Sequence, residues 1–356
     1  MLIRRGSICL VLLWCAANAV AQKPLDVPPV AAQPALPQSG PITLDVVVTD
    51  KGGHPVEGLK QEDFTLLDDR QPAAIRSFEA HELQTSSHDD AQALFLLIDD
   101  VNANFNSVSI VRTQIENFLH VNGGHLPLPT AIFLLTDTGL TQVTSVSSDG
   151  NALVDTLHKS EGQLHSLPRG GFYGAEERLE ISLRGMSALV AHIGPASGRK
   201  LVVWIGPGWP IFDTPDVQVS PQQQGRFFST IVGLSSELER EDIRLYAVDP
   251  LGTADAASSR TFLWESFTKP VTKPGKANPA NLALQVFATH SGGLVLSGSN
   301  DITAEVAKCA GDAKAWYSIT FDPGRADSPN TWHDVQVKVD KPGTVVRTSN
   351  GYYAQP

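Results

Sequence analysis

Between residues 93 and 311 the chain alternates two hydrophobic patterns. Four runs are apolar nearly throughout: ALFLLI (93–98), AIFLL (131–135), KLVVWI (200–205) and IRLYAV (243–248). Runs of this length without polar alternation are strands buried on both faces, as in a parallel sheet. Between them the period lengthens. Val108, Val111, Ile115, Phe118 and Leu119 recur at helical spacing, and helices are expected over 151–158, 176–193, 225–241 and 282–289, with another opened by Asp301 as N-cap and running to Cys309. Outside this region the pattern is short strands broken by Gly, Pro and Asp: ITLDVVVTD, DFTLLDDRQPAAIRSFE, AWYSITFDP, TWHDVQVKVD and TVVRTSNGYY. The expected architecture is α/β: a doubly wound, mostly parallel sheet inserted between N- and C-terminal β segments that pair as a small sandwich-like module.

The first 21 residues, MLIRRGSICLVLLWCAANAVA, place Arg4 and Arg5 before an apolar core and end on a small-x-small cleavage site. That is the form of a secretory signal peptide cut after Ala21, so the mature chain is expected to be secreted or periplasmic. A Pro/Ala-rich linker follows over 22–40, then an N-terminal β segment (41–85), the α/β unit (90–311) and a C-terminal β segment (312–356) packing on the first. Cleavage removes Cys9 and Cys15, leaving Cys309 on an apolar helical stripe, so no internal disulfide is available. It also takes the formal net charge from −11 to −13, which disfavours nucleic acid as a partner. No later run is long enough for membrane insertion.

Chemistry is sought where the strands end, because open α/β sheets bind ligands at the carboxyl ends of their strands. Only the first strand ends on paired carboxylates, Asp99 and Asp100, followed by Val101, Asn102, Ala103 and Asn104. The connector HELQTSSHDD (81–90) also gathers His81, Glu82, His88, Asp89 and Asp90, but nothing fixes their geometry and a solvated linker is the simpler reading. The loop GPGWPIFDTPDVQVSPQQQG (206–225) carries Trp209, Ile211 and Phe212, large apolar residues of the kind that anchor a partner, and TKPVTKPGKANPAN (268–281) is a second long loop. There is no G-x-S-x-G elbow, H-E-x-x-H pair or P-loop.

The order of these segments resembles a von Willebrand factor type A domain. The framing stretches LDVVVTDKGGHPVEGLKQEDFTLLDDRQPAAIRSFE, RKLVVWIGPGWP and WHDVQVKVDKPGTVVRTSNGYY resemble the secreted bacterial VWFA-related, Acidobacterial family over about residues 42–353. Such domains hold Mg²⁺ in an adhesion site built from a D-x-S-x-S loop, a Thr after a Gly-Gly turn and an Asp ending the fourth strand. Here the resemblance implies a degenerate site. Counted from Asp99 the two Ser places hold Val101 and Ala103; counted from Asp100 they hold Asn102 and Asn104, which offer amide oxygens. Phe172 follows Gly170-Gly171 where Thr would stand, and Gly206-Pro207-Gly208 stands where the acidic residue would.

Three functional readings follow. The first is a non-catalytic, extracytoplasmic module that binds a protein or other macromolecule through Trp209, Ile211 and Phe212. The second is an adhesion domain in which Asp99, Asp100, Asn102 and Asn104 hold Mg²⁺ or Ca²⁺. The third is a secreted hydrolase whose residues meet only in three dimensions. The strand-end carboxylates also have a plain role, shaping the strand-to-helix turn while Asn106 or Ser107 caps the helix.

Overall fold

The computed structural model describes residues 40–82, 92–103, 105–160, 171–212, 219–250 and 263–356. Its strands begin with β1 (Ile42–Asp50), β2 (Phe64–Asp68), β3 (Gln71–Pro72), β4 (Ile75–Glu82) and β5 (Gln92–Asp99). Helix α1 (Phe105–Leu119) leads to β6 (His125–Thr136), β7 (Gly139–Gln142), β8 (Ser147–Asp149), α2 (Gly150–Lys159), α3 (Gly171–Ile193) and β9 (Arg199–Ile205). Then come α4 (Pro221–Arg240), β10 (Ile243–Val248), α5 (Leu284–His290), β11 (Val295–Leu296) and α6 (Ile302–Gly311). The chain closes with β12 (Ala315–Phe321), β13 (Thr331–Val339), β14 (Thr344–Arg347) and β15 (Gly351–Ala354).

Helix starts follow their local chemistry. Ser220 accepts from the Gln223 amide while the Gln223 side chain accepts from Ser220 N, and Pro221 fills the first helical position of α4. Asp149 caps α2 and Asp301 caps α6 through their side chains. Helix α1 begins at Phe105, one residue before Asn106 and two before Ser107, the expected caps.

The strands form three sheets. One runs β11-β10-β9-β5-β6-β7, with β8 also on β6; β11 through β6 are parallel, and β7 and β8 pair antiparallel to β6. The other two are antiparallel throughout, β14-β1-β12-β4 and β15-β13-β2-β3. The expectation of a doubly wound, mostly parallel α/β fold of the von Willebrand A type with a small β appendage is therefore corrected. Two four-stranded antiparallel sheets stand beside a mixed sheet, and the class is a three-sheet combination of α and β structure. The long apolar runs made the middle of the chain dominate the reading. The terminal strands alternate and look weak singly, yet together they enclose a complete core.

Side-chain alternation divides that interior. Along β5, Phe95 and Leu97 pack with α3, α4 and α5, whereas Leu94, Leu96 and Ile98 pack with α1, α2 and α6. Between the antiparallel sheets Leu44, Val46 and Val48 of β1 meet Leu66, Ile319, Phe321, Val335, Val337 and Tyr352. Cys309 is buried on the inner face of α6. Among the described residues no helix is long and apolar enough to cross a membrane.

The antiparallel sheets are tied to the amino ends of the parallel strands by a buried ionic network. Asp45 of β1 takes the Nε of Arg199 on its Oδ2, and Arg244 Nη2 approaches the same oxygen at 2.9 Å and also donates to the Asp45 carbonyl at 2.9 Å. Arg199 Nη1 donates to the Asp312 carbonyl at 2.9 Å and to Gln92 Oε1 at 3.2 Å, and its guanidinium lies 5.0 Å from the Trp316 ring. Arg347 grips Asp312 with two bonds of 2.7 and 2.6 Å, and Tyr246 OH donates to Asp312 at 2.7 Å.

Burial alone would raise the Asp45 carboxyl, but attraction to Arg199 and Arg244 overrides it and holds the group below its ordinary 3.8. Its contribution to stability is therefore present above pH 3.8 and is lost as the pH falls through the lower folded value. Asp45→Ala leaves two guanidiniums buried without their anion, and a loss of roughly 3–5 kcal/mol is expected in denaturant unfolding at neutral pH. The variant should also lose the part of the acid transition that Asp45 causes; a neutral-pH loss under about 1 kcal/mol would contradict the network's role.

Candidate functional site

Strand β5 delivers Asp99 and Asp100 to the carboxyl edge of the mixed sheet, and both are buried. Asp100 N donates to the Leu135 carbonyl at 2.9 Å, continuing the pairing with β6 past the strand's end. Asp99 is enclosed by donors. Its Oδ1 accepts from Asn102 N at 2.9 Å, and its Oδ2 accepts from Asn102 Nδ2 and from Trp204 Nε1, each at 2.9 Å. Asn102 Nδ2 also reaches Ser182 Oγ at 2.9 Å, and Ser182 donates to the Arg178 carbonyl one turn earlier in α3. The Asn102 Oδ1 atom is buried with no hydrogen-bond partner.

Electrostatics follow from this enclosure. Burial pushes the Asp99 carboxyl up, and the hydrogen bonds from Asn102 and Trp204 offset only part of that. A bound divalent ion needs the reverse, a carboxylate whose charge is favoured and whose lone pairs are open. Gly206, at the end of β9, explains why no acidic residue stands there: a Cβ would lie 2.6 Å from the Asp99 Cβ. The close approach of β9 to Asp99 leaves no room for a side chain.

Of the predicted ion ligands, Asp99, Asp100 and Asn102 come together on one turn, while Asn104 lies outside the described residues, as do Gly170 and the Phe172 side chain. The predicted partner-binding aromatics are placed differently. Trp209 is 1% exposed, edge-on to Trp204 at 5.3 Å and 6.1 Å from Phe287, and Phe212 is also buried; Ile211 is half-buried. The expectation that these residues face a partner is corrected for Trp209 and Phe212, which close one end of the core. The turn that sends them inward has Gly208 at φ +82, where a Cβ would lie 2.3 Å from Gln285. The second long loop also packs down, with Val271, Ala277 and Ala280 buried, Tyr353 OH donating to the Val271 carbonyl and His290 Nε2 2.9 Å from the Thr268 carbonyl.

Three participants had no sequence signal of their own. Trp204 and Ser182 sit in apolar stretches that read as core, and only the fold brings them to Asp99. Tyr173 is the third. Gly185 of α3 lies against Leu135 near the end of β6, and Ser182 lies level with Asn102. Helix α3 runs antiparallel to β6, with His192 against Phe133 and with Leu179 and Ile181 still buried in the core. At ~1.5 Å per residue, Tyr173 stands about 14 Å beyond Ser182, and it is 70% exposed. A cavity of about 40 Å³ beside Asp45, Arg244, His290 and Trp332 lies instead at the amino edge, with room for only a few waters.

No family profile matches the chain, and no curated protein does. Among solved structures it is similar to the minor pilin PilB of Streptococcus sanguinis, with 11% identity over 64% of this chain and 63% of that one at a TM-score of 0.35. It is similar to the pilus adhesin SpaC of Lactobacillus rhamnosus GG, with 10% identity over 86% of this chain and 49% of that one at a TM-score of 0.35. It is also similar to the human COPII-coat protein Sec24c, with 8% identity over 78% and 46% at a TM-score of 0.33. The chain thus spans about half to two thirds of the length of these proteins, and the likenesses are too distant to transfer a role.

A further carboxylate near this edge has unusual chemistry. Glu305 of α6 is buried with its Oε2 unpartnered. Burial, together with the charges of Asp249 and Asp301, pushes it up to about 7. The folded state then holds a proton that the unfolded chain releases near 4.5, so this group's penalty is absent below pH 4.5 and complete above about pH 7. Glu305→Gln is expected to raise the melting temperature at pH 8 and leave it unchanged at pH 4. An equal shift at both pH values would show that the effect is not the carboxylate's charge.

Proposed function

We propose that the chain is a non-catalytic extracytoplasmic binding module that engages a protein or other macromolecule at the carboxyl edge of its mixed sheet, without a divalent ion at Asp99. The observation that carries this reading is the occupation of Asp99. The Trp204 indole N–H and two donors of Asn102 take up the carboxylate where a hydrated cation would need open oxygens. A buried, raised carboxyl held by neutral donors is a structural keystone. The surface offered to a partner is at the amino end of α3, where Tyr173, 70% exposed, presents a ring large enough to anchor an interface. The signal-peptide pattern of the first 21 residues supports the extracytoplasmic setting.

A second reading rests on Asn102 Oδ1, the buried oxygen with no internal donor. It makes Asn102 and Asp100 a weak Mg²⁺ or Ca²⁺ site.

The two separate in one set of melts. With millimolar Mg²⁺, Ca²⁺ or EDTA the melting temperature is expected to stay constant, because a ligand bound only by the native state would raise it by mass action. A rise with either ion that disappears in Asp100→Asn would replace the first reading by the second. In capture experiments on extracytoplasmic extracts, Tyr173→Ala, shown folded by near-ultraviolet dichroism, should lose at least tenfold in recovered partner. Undiminished recovery would remove the α3 surface from the proposal.

A further inference from the structure

The sheet β15-β13-β2-β3 carries a second cluster of ionisable groups, far in sequence from Asp99. Asp68 ends β2, Asp69 opens the turn to β3, and His333 lies on the neighbouring strand β13. The two-residue turn has Asp69 at φ 48 and Arg70 at φ 65, the left-handed pair that closes a tight hairpin. It sets two carboxylates side by side at the strand end. One ligand-type atom from each of the three residues falls within 4.8 Å of the others.

Each carboxylate is anchored through one oxygen and directed by the other. Asp68 Oδ2 accepts from Tyr352 OH at 2.9 Å and from Gly324 N at 3.2 Å, which leaves Oδ1 3.2 Å from His333 Nδ1. Asp69 Oδ1 accepts from Asp334 N at 2.9 Å, which leaves Oδ2 3.5 Å from the same Nδ1. Oxygen pairs positioned in this way are what outer-shell hydrogen bonds do for metal ligands. Tetrahedral ligands about 2.1 Å from a cation stand about 3.4 Å apart, and the two Nδ1–oxygen separations of 3.2 and 3.5 Å bracket that value. Gly324 favours the closeness, since a Cβ there would come within 3.0 Å of the His333 ring and 3.2 Å of Asp68 Oδ2.

We propose that Asp68 Oδ1, Asp69 Oδ2 and His333 Nδ1 form a binding site for a divalent transition ion of the zinc class, with water in the fourth position. An imidazole nitrogen with two carboxylate oxygens suits a borderline cation and not Mg²⁺ or Ca²⁺, which prefer oxygen throughout. Binding replaces any proton on Nδ1, which leaves to solvent. Asp69 is half-exposed and gives the ion its route of entry, while Asp68 and His333 are only slightly exposed. The ion would clip the β2–β3 turn to β13. This site is independent of the Asp99 turn and of the proposal made for it.

Titration of the purified, metal-free full chain with CoCl₂, read by visible absorption and displaced by ZnCl₂, tests the site. One Co²⁺ per chain with a tetrahedral ligand-field band is expected, displaced by Zn²⁺ and not by Mg²⁺ or Ca²⁺. Asp69→Asn retains the acceptor for Asp334 N and should weaken binding at least tenfold, and His333→Ala should abolish the band. The near-ultraviolet dichroism of both variants, taken without metal, establishes that they remain folded. Absence of a stoichiometric band in the wild type would overturn the proposal, as would equal affinity in wild type and folded Asp69→Asn. The paired His54–Asp50 and His158–Glu116 groups provide only two ligands each, and binding unaffected by either variant would assign the ion to such a surface pair.

Discussion

A carboxylate shared by two buried guanidiniums holds this molecule together. Asp45 lies on the first strand, Arg199 and Arg244 open two strands of the mixed sheet, and all three are nearly excluded from water. Removing three charges from solvent is unfavourable, and their attraction compensates only when the geometry is closely matched. That requirement makes the network a register device. The antiparallel pair of sheets must dock with β1 opposite the amino ends of β9 and β10, because any other arrangement buries unpaired guanidinium. Asp312 and Arg347 repeat the arrangement alongside, so α6, β10 and β14 meet at one place.

The carboxyl edge of the mixed sheet is closed by other means. There the chain uses aromatic and glycine residues to close the structure. Gly206 lets β9 approach Asp99, Trp204 donates to it, and Gly208 turns Trp209 and Phe212 back over the core. The same steps that satisfy the buried aspartate remove the loop aromatics from solvent. On α3 Tyr173 and Glu177 are exposed near the amino end, while Leu179 and Ile181 already belong to the core.

Much of the local structure was legible in the chain. Asp301 marks the start of α6 because a side-chain oxygen beside free amides is a local matter, settled within three residues, whereas α4 starts at its Ser220 cap and not at the expected 225. The apolar runs located β5, β6, β9 and β10, since burial on both faces leaves a continuous hydrophobic record. The site was legible only in part. Asp99 and Asn102 stood out, but the indole and hydroxyl that complete the turn lie 105 and 80 residues away. The aromatic loop misled for a related reason: a Pro-rich stretch without periodicity reads as surface, and one left-handed glycine decides that it turns inward.

The sequence by itself determined the main segments, the Asp301 cap, which strands are buried on both faces and that the strand ending in Asp99 carries an unusual polar turn. Those properties depend on side chains within a few positions of one another. Tertiary structure decided the three-sheet class, the docking of the terminal strands through Asp45, the occupation of Asp99 by Trp204 and the meeting of Asp68, Asp69 and His333. Each of these depends on which distant groups share a low-dielectric interior, where an unpaired charge or donor is far more costly than in water, and no local pattern records that partnership.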